Sequence, residues 1–256
     1  METPSQPRVV IVNHGLPGEA LALKQACAPH AHTLAIDSGS ALTVGQQAGF
    51  DLVLANVYFS GLVNAAVASC ADMDADAVLF FVCSDVAFED AGATLQTALG
   101  AFADDTLGVW APASTGNLFP SLSNARSGGM REVAFVEGFC MAARLSLWRR
   151  LAPVDLAINR LGWGLDIHLA WQARRAGLRV CVDDRVQAHH VPGTRYNRDQ
   201  ARAQLDAWVA GMGRSARFGH GLLFATWMQD WRGRLLLRWL PPRLWRRLFA
   251  WLETGR

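Results

Sequence analysis

The side chains with usable chemistry stand where the apolar pattern of this 256-residue chain breaks off. The clearest case is Ala77-Val78-Leu79-Phe80-Phe81-Val82-Cys83-Ser84-Asp85-Val86. A continuous run of β-branched and aromatic residues suits a strand buried on both faces, as in a parallel sheet. The polar step at Ser84-Asp85 is abrupt. Ligands of open α/β sheets bind beyond the carboxyl ends of the strands, so Asp85 sits where a ligand or a metal is met. Its structural alternative is an acid capping the helix that starts near Asp90. Asp37 holds a similar place, opening the tight turn Asp37-Ser38-Gly39-Ser40. The pair His189-His190 follows the last apolar run. Carboxylate oxygens with an imidazole nitrogen suit a divalent ion that also takes phosphate, Mn²⁺ or Mg²⁺. Such an ion neutralises a departing diphosphate. Taken singly, each of these residues is more commonly a cap or a surface histidine; their common edge gives them weight.

Gly162-Trp163-Gly164-Leu165-Asp166 has a different logic. The glycines let the backbone approach a ligand closely, and Trp163 offers a flat face of the kind that stacks on a sugar ring. Asp166 opens a helix, whose dipole favours the ionised carboxylate. A well-held carboxylate can take a proton from an attacking hydroxyl. The alternative is a loop with an N-capping acid and a core tryptophan.

The elements that must position these groups alternate at short intervals. Strands are expected at residues 8–13, 33–36, 51–56, 77–82, 108–112 (stopped by Pro112), 132–136, 138–142 and 178–182. Helices are expected at 19–28, 61–70, 90–102, 144–151 and 162–175, the last stopped by Gly177. Residues 114–129, rich in Ser, Asn and Gly, read as a loop over a site. A polar turn leads to Ala188-His189-His190. This is the βαβ pattern of a mostly parallel sheet flanked by helices.

Hydrophobic residues make up 51% of the chain, enough for one large core. No leader and no membrane span is expected. Five scattered cysteines with no CxxC pair read as reduced thiols of a cytoplasmic protein. The net charge of +2 is uneven: residues 231–256 carry seven Arg and one Glu, leaving the body acidic. That argues for a local docking surface and against a nucleic-acid partner.

These motifs together resemble family 2 glycosyltransferases of the GT-A fold. The resemblance is carried by Asn13 at a strand end, Asp37-Ser38-Gly39-Ser40, Gly61 with Asn64 and Ala66, Ser84-Asp85, residues 138–144 from Gly138 to Arg144, Gly162-Trp163-Gly164-Leu165-Asp166 and His190. It covers residues 8–196, and it is their order and spacing that are specific. The resemblance implies an inverting transfer of a sugar from a nucleoside diphosphate sugar to a carbohydrate or lipid-linked acceptor, as in bacterial surface polysaccharide or glycolipid synthesis. It implies that Asp37, with Asn13, holds the nucleoside, that Asp85 and His190 hold Mn²⁺ or Mg²⁺ on the diphosphate, and that Asp166 is the base. Ser84, Trp163, Arg195 and Tyr196 are further donor contacts, and His189 is the alternative ligand. The family's DxD motif reads Cys83-Ser84-Asp85 here, so its first acid is missing. A nucleotidyltransferase, or a binding or scaffold protein without catalysis, is the alternative.

The organisation expected is a catalytic domain at 1–196 and a helical extension at 197–256. Residues 197–212 give a helix with Ala201, Leu205, Trp208, Val209 and Met212 on one side. Phe224, Trp227, Met228, Trp231 and Leu235 continue at helical spacing. After Pro241-Pro242, residues 243–252 form a short amphipathic helix with Leu244, Trp245, Leu248, Phe249 and Leu252 opposite arginines. Trp and Arg on such a helix suit an anionic membrane face, which makes the enzyme peripheral on the plasma membrane; packing on the body is the other reading.

Overall fold

The computed structural model describes residues 8–191 and 197–228, with positions 244, 247 and 251 beyond them. The first half follows the expected alternation: β1 (Arg8–Asn13), α1 (Pro17–Cys27), β2 (His32–Ser38), α2 (Val44–Gly49), β3 (Leu52–Leu54), α3 (Tyr58–Ala68), β4 (Val78–Cys83) and β5 (Val86–Phe88). Then come α4 (Ala91–Ala101), β6 (Leu107–Thr115), α5 (Pro120–Ser123), β7 (Met130–Glu132), β8 (Cys140–Arg144), α6 (Leu145–Leu151), α7 (Leu156–Asn159) and α8 (Leu165–Arg175). The described chain ends with β9 (Arg179–His190), α9 (Arg198–Gly211) and α10 (Arg214–Met228).

The strands form one mixed sheet in the order β3-β2-β1-β4-β8-β6-β9-β5, with β7 on β9. The parallel part is β3-β2-β1-β4, where Asn13 lies opposite Asp37 and Val12 opposite Cys83. That register puts the ends carrying Asn13, Asp37 and Ser84-Asp85 on one edge. β8 enters antiparallel to both β4 and β6, and β5 and β7 are antiparallel to β9. Alternate residues of each strand serve opposite apolar layers, as the two-residue period requires. Val10, Val12 and Phe81 pack under α3, α6 and α8, with Phe81 5.6 Å from Trp148 between ring centres. Val9, Ile11 and Phe80 face α1 and α4, with Phe80 5.8 Å from Trp110.

Four expectations need correction. The strand ends not at Pro112 but at Thr115, because Pro112 falls where the β6–β9 ladder shifts register and needs no N–H there. The pairing of residues 132–136 stops at Glu132, after which the segment is buried but runs off the ladder. β9 does not end at Val182. It bulges between Asp183 and Gln187 and continues to His190, so the two histidines are strand residues and no turn precedes them. Asp85 does not cap α4: Asp90 does, accepting from Ala93 N–H at 2.8 Å. The cysteines are free, and all but half-buried Cys83 are buried.

α9 and α10 pack on this body. Gln204 of α9 accepts from Leu161 N–H at 3.0 Å, while Ala216 and Leu223 of α10 join the core layer that contains α8. Val209 is half-buried. Residues 192–196, with Arg195 and Tyr196, lie outside the described residues, as do Trp231, Leu235, Pro241-Pro242 and most of the short helix. The side chains of Trp227 and Met228 lie outside them too. Among the described residues no helix is long and apolar enough to cross a membrane.

α8 is fastened at its far end by Arg174. This guanidinium is fully buried and donates to Glu132 Oε1 at 2.8 Å and to Val133 C=O. Removing one member of a buried pair strands the other. Arg174→Met should therefore lower stability in urea by about 3 kcal/mol, and the double change Arg174→Met/Glu132→Leu should recover a large part of it. A single variant as stable as the parent would show that the pair holds nothing.

Candidate active site

The carboxyl edge of β1 and β2 is closed by a hydrogen-bonded turn. Asn13 Nδ2 donates to Asp37 Oδ1 at 2.6 Å and to Ser40 Oγ at 3.1 Å, and Ser40 N–H donates to Asp37 Oδ2 at 3.0 Å. Asn13 Oδ1 in turn accepts from Leu16 N–H. Asp37 is 0% exposed. Both its oxygens are engaged, each with a lone pair to spare. Ser38 Oγ accepts from Val57 N–H at 2.9 Å, tying this turn to the start of α3. There Tyr58 adopts a left-handed φ of 56°, uncommon without glycine, and the guanidinium of Arg160 sits 3.9 Å over its ring.

At the end of β4, Asp85 meets His190. Asp85 Oδ2 lies 3.4 Å from His190 Nε2, while Asp85 Oδ1 is buried with no hydrogen-bond partner. His190 Nδ1 is 3.1 Å from Gly116 C=O, which fixes a proton on Nδ1 and turns Nε2 toward Asp85 Oδ2. The ring stacks on Phe139 at 4.1 Å and 5°. Burial lowers the imidazole pKa, but the Asp85 carboxylate and the Gly116 carbonyl outweigh it, so the net shift is upward. Neighbours on a strand point to opposite faces. His189 accordingly turns away, to Thr115 Oγ1 at 2.9 Å and Glu89 Oε1 at 3.3 Å. Ser84 is buried, its N–H donating to Val12 C=O at 2.9 Å.

The third group comes from the loop before α8. Gly164 has a φ of 81°, and a side chain there would run into Leu205 of α9. Glycine is thus required by both conformation and space. Asn159, fully buried, clamps this loop: its Oδ1 accepts from Gly162 N–H at 3.1 Å and its Nδ2 donates to half-buried Trp163 C=O at 3.0 Å. Ser60 of α3 donates to Asn159 C=O. The Asp166 carboxylate accepts from Ile167 N–H at 2.8 Å. Burial nevertheless raises its pKa to about 7, and the carboxylate of Glu137 adds to the rise. The helix dipole expected to keep Asp166 strongly acidic is outweighed by desolvation.

Glu137 was not singled out by sequence. A lone acid between Val133-Ala134-Phe135-Val136 and Gly138 was the available signal. It is buried, accepts from Leu118 N–H and Ser123 Oγ at 2.9 Å each, and is raised in pKa chiefly by burial. Its charge is felt by both Asp166 and His190. The segment of Glu137, Gly138 and Phe139 therefore joins the two halves of the site. Gly138 lies against Asp166, Phe139 stacks on His190, and Phe139 C=O accepts from Cys83 N–H at 2.7 Å.

Asp85 and His190 fit a divalent cation. The buried Oδ1, without a hydrogen-bond partner, is a hard donor, and Nε2, once its proton is lost, a borderline one. Among the described residues no group of three or more His, Cys, Asp or Glu could hold an ion. Among the described residues Asp85 and His190 would be the two protein donors to such an ion, with positions left for phosphate oxygens and water, as is usual for Mg²⁺.

No protein-family model matches the chain, and no curated protein matches it. Solved structures do. A mannosyltransferase from Pyrobaculum calidifontis in complex with GDP-Man and Mn²⁺ superposes with a TM-score of 0.56 at 14% identity, over 98% of this chain and 86% of that one. Glucosyl-3-phosphoglycerate synthase from Mycobacterium tuberculosis, with Mn²⁺, UDP and glucosyl-3-phosphoglycerate, gives 0.52 at 14% identity over 84% and 80%. GalNAc-T7 with UDP, GalNAc and Mn²⁺ gives 0.52 at 11% identity over 76% and 45%. The sheet and its flanking helices have the GT-A fold of glycosyltransferases.

Proposed function

We propose that the chain is an inverting, metal-assisted glycosyltransferase using a nucleoside diphosphate sugar. The observation that carries this reading is that Asp85 and His190, 3.4 Å apart, share the neighbour Glu137 with Asp166, a carboxylate whose pKa is about 7. The relatives in fold were crystallised with Mn²⁺ and nucleotides or nucleotide sugars, which supports the same donor class here. The nucleoside lies at the turn built by Asn13, Asp37 and Ser40. Asp85 and His190 hold the ion, which when bound neutralises the diphosphate as it leaves. Ser84 and Trp163 line the donor.

Asp166 accepts the proton of the acceptor hydroxyl as that oxygen bonds to the anomeric carbon from the face opposite the diphosphate. The C–O bond to the diphosphate breaks with its electrons, and the configuration inverts. A pKa near the working pH suits a base that must be ionised before the step and still hold the proton after it. Gly138 and Asn159 keep the carboxylate in place.

The acceptor we favour is a carbohydrate or lipid-linked glycan of bacterial surface polysaccharide or glycolipid synthesis, reached from the plasma membrane. Helical, exposed Leu244, Arg247 and Trp251 in the basic tail support this. Flotation with anionic vesicles should be lost when the chain is ended at Gln229; equal flotation of both forms would remove the tail as an anchor.

Asp166→Asn should lower turnover by about 10²-fold with donor affinity intact. In the parent, kcat/KM should rise with pH through about 7, and the variant should lack that limb. The same carboxyl has a folded pKa of about 7 against 3.8 in the unfolded chain. The native state then holds the extra proton between these values, so stability falls as pH rises from about 4 to 7. Asp166→Asn should thus exceed the parent in stability above pH 7, by about 1–3 kcal/mol, with the gap closing toward pH 4. Turnover near the parent's would exclude Asp166 as the base.

Calorimetry of donor binding should show Mn²⁺ dependence that Asp85→Ala abolishes and His190→Ala weakens by about tenfold or more. Donor binding indifferent to EDTA and to both changes would leave the transfer metal-independent.

A further inference from the structure

Glu137 is a buried carboxylate to which the transfer assigns no step. It directly precedes Gly138 and Phe139, which lie against Asp166 and His190. Its Oε1 accepts from Leu118 N–H and its Oε2 from Ser123 Oγ, each at 2.9 Å. These two bonds grip the short turn of α5 at both ends. The same loop supplies the Gly116 carbonyl that meets His190 Nδ1 at 3.1 Å. Its apolar side is fixed as well, by buried Leu122 and by Phe119, edge-on to Phe135 at 5.3 Å. Residues 116–123 are therefore held by His190 at one end and by Glu137 over the rest.

Holding a loop does not require a charge. The amide of a glutamine in the same place could accept from Leu118 N–H and donate to Ser123 Oγ. A buried carboxylate costs desolvation that an amide would not. What the carboxylate adds is a negative charge that acts on two sides. For Asp166 it is a like charge and favours the protonated acid; for His190 it is an opposite charge and favours the imidazolium. The backbone N–H groups of Ile167 and Gly138 act on Asp166 in the other sense, favouring its ionised form.

We propose that Glu137 is a positioning residue for both halves of the site: its carboxylate seats the 116–123 loop that orients His190, and its negative charge acts on the base Asp166. The inference rests on the reading of Asp166 as the base. Glu137 touches neither substrate in it and works only through Asp166, His190 and the loop.

The test is carbon NMR of labelled aspartate carboxyls in the full chain, without donor or metal, with the Asp166 signal assigned by its loss in Asp166→Asn. Glu137→Gln keeps both loop bonds and should keep the parent's melting temperature, while the titration midpoint of Asp166 falls by about 1 pH unit. The rising limb of kcat/KM should move down with it. Glu137→Ala removes the bonds too. Amide hydrogen exchange at Leu118 should then quicken by about tenfold or more, while Glu137→Gln stays near the parent's rate. A purely structural residue would show the exchange effect in Glu137→Ala but no change of midpoint in Glu137→Gln. An unchanged Asp166 midpoint in Glu137→Gln, or unchanged exchange at Leu118 in Glu137→Ala, overturns the inference. Neither measurement needs turnover, whereas the reading of Asp166 as the base fails separately, on turnover retained in Asp166→Asn.

Discussion

One backbone hydrogen bond, from Cys83 N–H to Phe139 C=O at 2.7 Å, lies at the centre of the site. β4 brings Asp85 to the sheet edge, but a strand end by itself holds a side chain loosely. The bond draws the segment entering β8 across that end. On one side of the crossing Phe139 lies flat against His190 and turns Nε2 toward Asp85. On the other, Gly138 lies against Asp166, where a side chain of its own would reach the Asp166 Cβ. The antiparallel insertion of β8 between β4 and β6 is thus what links the surroundings of Asp166 to those of Asp85 and His190.

The electrostatics follow from that crossing. Glu137, Asp166 and His190 are gathered near Asp85 in a partly buried space, and desolvation disfavours the charged forms of these three. His190 escapes because it has a carboxylate and a carbonyl to hold its proton. Glu137 and Asp166 both rise through burial, and the charge of Glu137 lifts Asp166 further. Such a cluster costs stability, and the surrounding structure restrains it. Asn159 clamps the Asp166 loop, Ser60 ties Asn159 to α3, and Val57 ties α3 to the turn at Asp37. The turn at Asp37 and the loop of Asp166 are therefore one connected hydrogen-bonded frame. The left-handed Tyr58 sits in the middle of it, under Arg160.

α9 and α10 complete the frame from outside. Leu205 and Trp208 close over Gly164, so the loop that carries Asp166 is covered by residues beyond 196. α10 packs along α8, and the contact of Gly219 with the Trp171 ring leaves no room for a side chain between them.

Local pattern was enough to read the parallel half of the sheet and its edge. Runs such as 78–82 are apolar without interruption, so they are buried strands in any fold. Their polar ends at Asn13, Asp37 and Asp85 must then share one side, because short helical crossovers keep such strands parallel. The Gly-Trp-Gly loop and the start of α8 were legible for the same local reason. Groups far apart in the chain were placed by packing instead. Whether His189 or His190 meets Asp85 depends on the register of β9 after its bulge, and a shift of one residue would exchange them. Glu137 gains its role from neighbours 29 and 53 positions away at Asp166 and His190. The ionisation of Asp166 was read from its helix dipole, a local term, and was reversed by burial, which no local pattern contains.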